Sequence, residues 1–278
     1  MKPASRTVRG GSLEYEDCMR AKIDYFTLLA AVGAALLFAG CDSAITAGSQ
    51  SSPATATFEG EYPIRVMCTT GMVADVVRNV GGEQLAVDQL MGADVDPHLY
   101  DPDVNDARAL RDCDVVFYSG LHLEGKMTEI FASVARRHPT VAVAEGIDPA
   151  RLIHVAAGEN EAGQVDPHVW FDVSLWSETI DVVRDTLCRY DPDHAEAYRV
   201  RADAYRAELA ELDTYCRGEL AKIPPERRTL VTSHDAFHYF GRAYDVEVRA
   251  IQGISTESEA GLFEINELVN YITAKKIP

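Results

Sequence analysis

The feature that most constrains the fold of this chain is a long helix-forming stretch near its middle. No proline occurs between Pro192 and Pro224, and no glycine occurs before Gly218. About 30 residues rich in Ala, Glu, Arg and Leu, at about 1.5 Å each, would form a rod of roughly 45 Å. Such a rod suits a rigid spine joining two lobes better than an element inside one lobe. We therefore predict a linking helix over residues 191–224.

Strand and helix patterns alternate on both sides of this stretch. Before it, the strand-like runs PIRVMCTT, QLAVDQLMG, DVVFYSG and TVAVAEGI are separated by helical stretches. After it come RTLVTS, the helix HDAFHYFGRAY, the strand EVRAIQGIS and the helix LFEINELVNYITAKK, for which Thr256 and Glu259 predict a capping box. The alternation predicts an α/β fold with mainly parallel sheets. We expect an N-terminal lobe over 63–190 and a partial C-terminal lobe over 225–278, truncated because two strands are few for a doubly wound layer.

The N-terminal region carries the features of a secretory leader. The apolar run YFTLLAAVGAALLFAGC follows two basic residues and closes on small residues at Cys41. The final cysteine makes it similar to a bacterial lipoprotein signal, with a lipid carried on the thiol of Cys41. Met19 is a more natural start than the first Met, so we interpret 1–18 as an upstream extension and 19–41 as the signal peptide. A plain cleaved signal with an incidental cysteine is the alternative.

Residues 42–62 are rich in Ser, Ala, Thr and Gly, which predicts a flexible tether. A lipid-anchored, tethered domain would be exported to the periplasm or the cell surface. The cysteines beyond the leader (Cys68, Cys113, Cys188 and Cys216) are widely spaced and form no Cys-x-x-Cys motif. We expect them to be reduced and buried.

Charge and motifs argue against several classes of function. The chain has 44 acidic and 26 basic residues and a formal charge of −18, so the basic surface of a nucleic-acid-binding protein is missing. An acidic surface is compatible with a cationic ligand but is also a common aid to solubility. The sequence has no Gly-x-Ser-x-Gly elbow, no phosphate-binding glycine loop and no Gly-x-Gly-x-x-Gly, so no enzyme class is indicated.

The string Val-Asp-Pro-His occurs at 95–98 and again at 165–168, each time before an aliphatic and an aromatic residue. The surrounding residues do not match, so we interpret the two copies as loops that each hold one imidazole. Proline stiffens each loop. The first loop follows the run QLAVDQLMG, and the second follows TVAVAEGI after a short linker, near the strand ends where parallel sheets collect ligands. His234 also follows a predicted strand and begins the next helix. His98, His168 and His234 therefore predict a metal site in the cleft between the lobes.

The other histidines are weaker candidates for metal ligands, because a single histidine at a strand end usually has a structural role. His122 also follows a strand and is the best spare ligand. His138 and His194 are predicted at helix ends on solvated faces. His238 shares a helical face with His234, but no Glu follows His234 as a His-Glu-x-x-His site requires, so we discount the pair.

The strings VDPHLY, GLHLE, DPHVWFDV, SHDAF and QGISTESEA occur in this order. Their arrangement resembles the metal-binding lipoproteins of manganese/zinc ABC importers, the cluster A-I solute-binding proteins, over roughly residues 63–278. The resemblance implies two lobes joined by a long helix, one divalent ion bound by His98, His168 and His234, and an ABC permease as partner of a monomeric protein. The family's fourth ligand is acidic and lies nearer the C-terminus, and no residue here can be assigned to that role.

Three imidazoles and a carboxylate suit Zn²⁺, which such ligands bind more tightly than Mn²⁺. In the family, manganese-binding members have a carboxylate where this chain has His234, and zinc-dedicated members often carry a long histidine-rich loop. The corresponding segment HVAAGENEAGQVD is short and has one histidine. We therefore expect Zn²⁺, Mn²⁺ or both.

Three hypotheses follow. The first is an exported solute-binding protein that captures Zn²⁺ or Mn²⁺ for a permease, without catalysis. The second is a secreted zinc hydrolase that uses the same histidines and would need a general base beside an open metal position. The third is a surface adhesin with a structural metal. Binding requires neutral imidazoles, so we expect affinity to fall below about pH 6.

Overall fold

The computed structural model describes residues 56–154, 164–257 and 260–277. The predicted extension over 1–18, the signal peptide over 19–41 with Cys41, and most of the tether lie outside these residues, as does most of the HVAAGENEAGQVD segment. None of the helices in the described residues combines the length and apolar character that crossing a membrane requires.

The fold is α/β with parallel sheets and one long helix, as the sequence predicts. The strands in the described residues are β1 Ile64–Cys68, β2 Leu85–Gln89, β3 Val115–Tyr118, β4 Thr140–Ala142, β5 Thr229–His234 and β6 Glu247–Gln252. The helices there are α1 Gly71–Gly81, α2 Val104–Asp112, α3 Thr128–Val134, α4 Val173–Trp176, α5 Thr179–Tyr190, α6 Ala195–Leu220, α7 His238–Tyr244 and α8 Leu262–Lys275.

The first sheet is parallel and has the strand order β2-β1-β3-β4. Its central strands β1 and β3 are buried on both faces, which explains why both are nearly continuous apolar runs. Val66 pairs with Val115, and both side chains are fully buried in a core that also contains residues of α1, α5 and α6. The loops that leave this sheet therefore start from a rigid base.

The long helix α6 has 26 residues, or about 39 Å at 1.5 Å per residue. Its buried side chains are Tyr198, Ala202, Tyr205 and Leu209, which recur every three or four positions on one face and join the core of the first sheet. At its other end, Arg217 donates a hydrogen bond to a backbone carbonyl at the end of α7. The same helix thus contacts the elements around both sheets.

The second sheet consists, in the described residues, of β5 and β6 paired in parallel. Two local expectations are wrong here. His234 is the last residue of β5, and the next helix begins at His238. The capping box is absent because α8 begins at Leu262 after Gly261, and Thr256 instead donates a hydrogen bond to Asp96 at 2.7 Å. Glu259 lies outside the described residues.

The end of the predicted tether also differs from the structure. Phe58 donates its backbone N–H to Tyr190 at the end of α5, and Tyr62 donates its hydroxyl to Asp191 at 2.8 Å. The aromatic rings of Phe58 and Tyr62 pack edge to face, so this ring contact and the two hydrogen bonds anchor the chain before residue 63. The four described cysteines are free, as expected, but only Cys68 is fully buried, and Cys113, Cys188 and Cys216 are half-buried.

Candidate metal centre

The structure brings the three predicted histidines together. One ring nitrogen from each of His98, His168 and His234 lies within 4.8 Å of the others, and no other such group of three metal-binding side chains occurs in the described residues. The Nε2 atoms of His98 and His168 are 3.1 Å apart. Two imidazole nitrogens bound tetrahedrally to one zinc ion at 2.0–2.1 Å would be about 3.3 Å apart, so this spacing already approaches that of a metal site.

The two Val-Asp-Pro-His copies form the same hydrogen-bonded turn. In each loop, one carboxylate oxygen accepts the backbone N–H of the histidine two residues later, at 2.9 Å for Asp96 and His98 and at 2.9 Å for Asp166 and His168. This is the Asx turn, in which an aspartate closes a tight turn on its own chain. The repeat is therefore a device that fixes the backbone of a histidine, and the sequence interpretation of the motif agrees with this geometry.

Asp166 additionally orients the ring of His168. Its Oδ1 lies 2.8 Å from His168 Nδ1, and both side chains are almost fully buried. Because a carboxylate accepts, the proton resides on Nδ1, which leaves the lone pair on Nε2, the atom that faces His98. The second oxygen of Asp166 lies 3.2 Å from Nδ1 of His238 in α7, so this carboxylate also contacts an element beside the second sheet.

His234 reaches the cluster from the end of β5 and is held on its other side by the segment that follows β6. Its Nε2 lies 2.7 Å from the backbone carbonyl of Ile254. Because a carbonyl only accepts, His234 Nε2 donates and Nδ1 keeps the lone pair. The ring centroids of His234 and His168 are 4.8 Å apart, so a third nitrogen donor is close to the other two.

Burial favours the uncharged form of two of the three histidines, His98 and His234. The His98 side chain is only 7% exposed, and this desolvation, with repulsion from His168 and His234, lowers the pKa of His98 to about 4. Desolvation also lowers the pKa of His234. Burial would raise the pKa of Asp166, but hydrogen bonds from His168 and His238 outweigh it and hold that pKa below its ordinary value. The site thus offers lone pairs rather than protons to a cation.

At His98, this pKa places proton competition below the pH 6 that the sequence suggested. Protons compete for a buried histidine only near its own pKa, which for His98 is about 4. We expect proton competition at His98 to be slight at pH 5 and to weaken zinc binding steeply as the pH approaches 4. Zinc titrations of the purified protein between pH 7.5 and 3.5 measure this, and a steep loss centred above pH 6 would contradict it.

His122, the predicted spare ligand, is not part of the cluster. It is exposed and lines a cavity of about 270 Å³ whose lining also includes His98. Its backbone has a φ of 64°, next to Leu121 at 54°, a left-handed conformation uncommon for residues other than glycine. The strand after which it was predicted, β3, ends at Tyr118.

The remaining predicted histidines have structural contacts. His138 is buried and its Nε2 donates to a backbone carbonyl of α2 at 2.9 Å, so it is not on a solvated face as expected. His194 contacts Asp191 at 2.9 Å, at the start of α6. His238 is outside the cluster, but its contact with Asp166 makes it a neighbour of the site that the sequence interpretation missed. No local sequence signal points to this contact, because it joins residues 72 apart.

Comparison with known proteins places this geometry in a family. Residues 66–278 match the sequence model of ZnuA, described as zinc-uptake complex component A, periplasmic. The chain is 43% identical over 217 residues to the manganese-binding lipoprotein MntA of Bacillus subtilis (strain 168), covering 78% of this chain and 70% of the relative. It is 42% identical over 213 residues to the zinc-binding protein TroA of Treponema pallidum, covering 77% and 68%.

A structural comparison agrees. The structure of the periplasmic zinc-binding protein TroA from Treponema pallidum superimposes with a TM-score of 0.74 and 40% identity, over 78% of this chain and 76% of that one. A more distant relative, at 29% identity over 77% of this chain and 70% of its own length, is the manganese ABC transporter substrate-binding lipoprotein PsaA of Streptococcus mitis. These relatives are named for metal binding or for metal transport.

Proposed function

Because the chain belongs to the family of periplasmic zinc-uptake component A, we propose that it is an exported solute-binding protein that captures Zn²⁺ or Mn²⁺. His98, His168 and His234 supply the three nitrogen ligands. The observation that carries the proposal is the convergence of their ring nitrogens within 4.8 Å. Relatives named for zinc, for manganese and for ABC transport support the choice of cargo and of an ABC permease as partner.

The donor set favours zinc over manganese. Neutral imidazoles suit Zn²⁺, whereas Mn²⁺ prefers carboxylate, carbonyl and water oxygens, and a given site generally binds Zn²⁺ more tightly. Two carboxylates beside the cluster, Asp96 and Asp166, use both oxygens in hydrogen bonds to protein groups. We therefore propose that this chain binds Zn²⁺ more tightly than Mn²⁺ and that both ions reach the same site.

The same contacts favour capture over catalysis. A zinc hydrolase needs a general base beside the metal-bound water. Asp96 and Asp166 are the carboxylates that support the ligand loops, and each is held by hydrogen bonds, so neither is placed as a free base. We propose that the ion leaves unchanged, toward a membrane permease, and that the protein works as a monomer anchored through a lipid on Cys41.

Calorimetric titration with ZnCl₂ and MnCl₂ tests the function directly. We expect one ion of either metal per chain, Zn²⁺ displacing Mn²⁺, and a cell lacking the gene to accumulate less zinc or manganese. Absence of binding of both ions would contradict the proposal. Turnover of peptide or phosphoester substrates by the zinc-loaded protein would favour a hydrolase instead, and unchanged metal accumulation together with lost adhesion would favour an adhesin.

A further inference from the structure

The segment that follows β6 contacts two of the three ligand loops. Within it, the backbone carbonyl of Ile254 accepts the Nε2 proton of His234 at 2.7 Å. Two residues later, the hydroxyl of Thr256 donates to Oδ2 of Asp96 at 2.7 Å. The other oxygen of Asp96 holds the backbone N–H of His98. One short segment is therefore joined to His234 directly and to His98 through a single carboxylate.

We propose that Thr256 is a positioning residue for metal binding, an inference that rests on the proposed function. Its hydroxyl fastens the segment after β6 to the first Val-Asp-Pro-His loop and so fixes the separation between His98 and His234.

The hydrogen bond between Thr256 and Asp96 can position the metal ligands because it joins the segments that carry them. Gln252, at the end of β6, pairs in register with His234 at the end of β5, and Thr256 lies four residues further along, in the segment that the Ile254 carbonyl joins to His234. Asp96 and His98 belong to the loop after β2, on the first sheet. Thr256 and Asp96 are 160 residues apart in sequence, so their bond joins distant parts of the chain. It keeps the third ligand at a fixed distance from the first.

The chemistry of the contact makes it stronger than an ordinary surface hydrogen bond. Thr256 is half-buried and Ile254 is buried, so water competes poorly for this carboxylate. A hydroxyl bonded to a carboxylate is charge-assisted.

The test replaces Thr256 by valine, which keeps the shape and removes the donor, and by serine, which keeps the donor. Removing a side chain that hydrogen-bonds to a metal ligand typically lowers metal affinity by about 10–100-fold. We expect Thr256→Val to release zinc into a chelator about tenfold faster, with an unchanged rate of association, and Thr256→Ser to behave like the wild type. Thr214→Val is the matched control, because its hydroxyl bonds only a carbonyl of its own helix α6.

A double-mutant cycle separates this role from a general loss of structure. In a background of Asp96→Ala, Thr256→Val should cause no further increase in zinc release, because its acceptor is already gone. The inference is overturned if Thr256→Val releases zinc at the wild-type rate, or if Thr256→Ser releases zinc as fast as Thr256→Val. It is also overturned if Thr256→Val speeds zinc release as much in the Asp96→Ala background as in the wild type. If the valine variant does not fold, Thr256→Ala is judged by the same criteria. Failure of the wild type to bind metal would instead refute the proposed function.

Discussion

Replacing His168 by alanine is expected to weaken zinc binding by at least about 100-fold. His168 is 2% exposed, and its Nε2 lies 3.1 Å from that of His98, so alanine would remove one nitrogen of this buried pair. Zinc sites with four ligands bind the ion with a free energy of about 10–16 kcal/mol, or about 3 kcal/mol per ligand. Loss of one ligand therefore corresponds to a decrease in affinity of roughly 100-fold. Competition with a chromophoric chelator at pH 7.5 measures the change.

Alanine variants of other histidines test whether the loss of zinc binding is specific to the three clustered histidines. His98→Ala should cause a comparable loss, because the two rings form one buried pair. His154→Ala makes the same chemical change at an exposed histidine outside the cluster and should leave affinity unchanged. His122→Ala should also have no more than a small effect, since His122 is not among the three converging side chains. Unchanged zinc binding by His168→Ala would rule out the proposed site.

The fold could be predicted because its signals are local. The apolar runs of β1 and β3 reflect burial on both faces, and the 26 residues of α6 contain one glycine and no proline. The Asx turns of the two ligand loops are also local, since each joins residues two apart. The three histidines could be chosen because His98 and His234 follow strand-like runs and because His98 and His168 share a motif.

The connections between distant parts of the chain could not be predicted in the same way. Thr256 suggested a helix cap because Ser and Thr cap helices locally, but its hydroxyl found Asp96 in the folded structure. The contact of His238 with Asp166 spans 72 residues and has no local signature. A local sequence pattern predicts only the contacts that a residue makes with its neighbours along the chain. The hydrogen bonds of Thr256 and His238 are instead made with residues that are distant in sequence.

Replacing Asp166 by alanine is expected to have the second-largest effect, a loss of about 10–100-fold in zinc affinity. Asp166 is fully buried, and one of its oxygens accepts both the backbone N–H and the Nδ1 proton of His168. Without it, the ring of His168 loses the partner that fixes its tautomer and orientation. Two buried donors are then left without an acceptor, so the free energy of unfolding of the metal-free protein should also fall, by about 2 kcal/mol.

Comparison of the two motif aspartates tests the reason for this effect. Asp96 closes the same turn as Asp166 but makes no ring contact like that between Asp166 and His168 Nδ1. Asp166→Ala should therefore weaken zinc binding more than Asp96→Ala, and Asp203→Ala, an exposed change on α6, should have no effect. Equal losses at Asp96 and Asp166 would mean that the ring contact of Asp166 adds no more to zinc binding than the Thr256 bond of Asp96 does. A normal affinity in Asp166→Ala would mean that His168 needs no partner to hold its ring, because the packing around it already suffices.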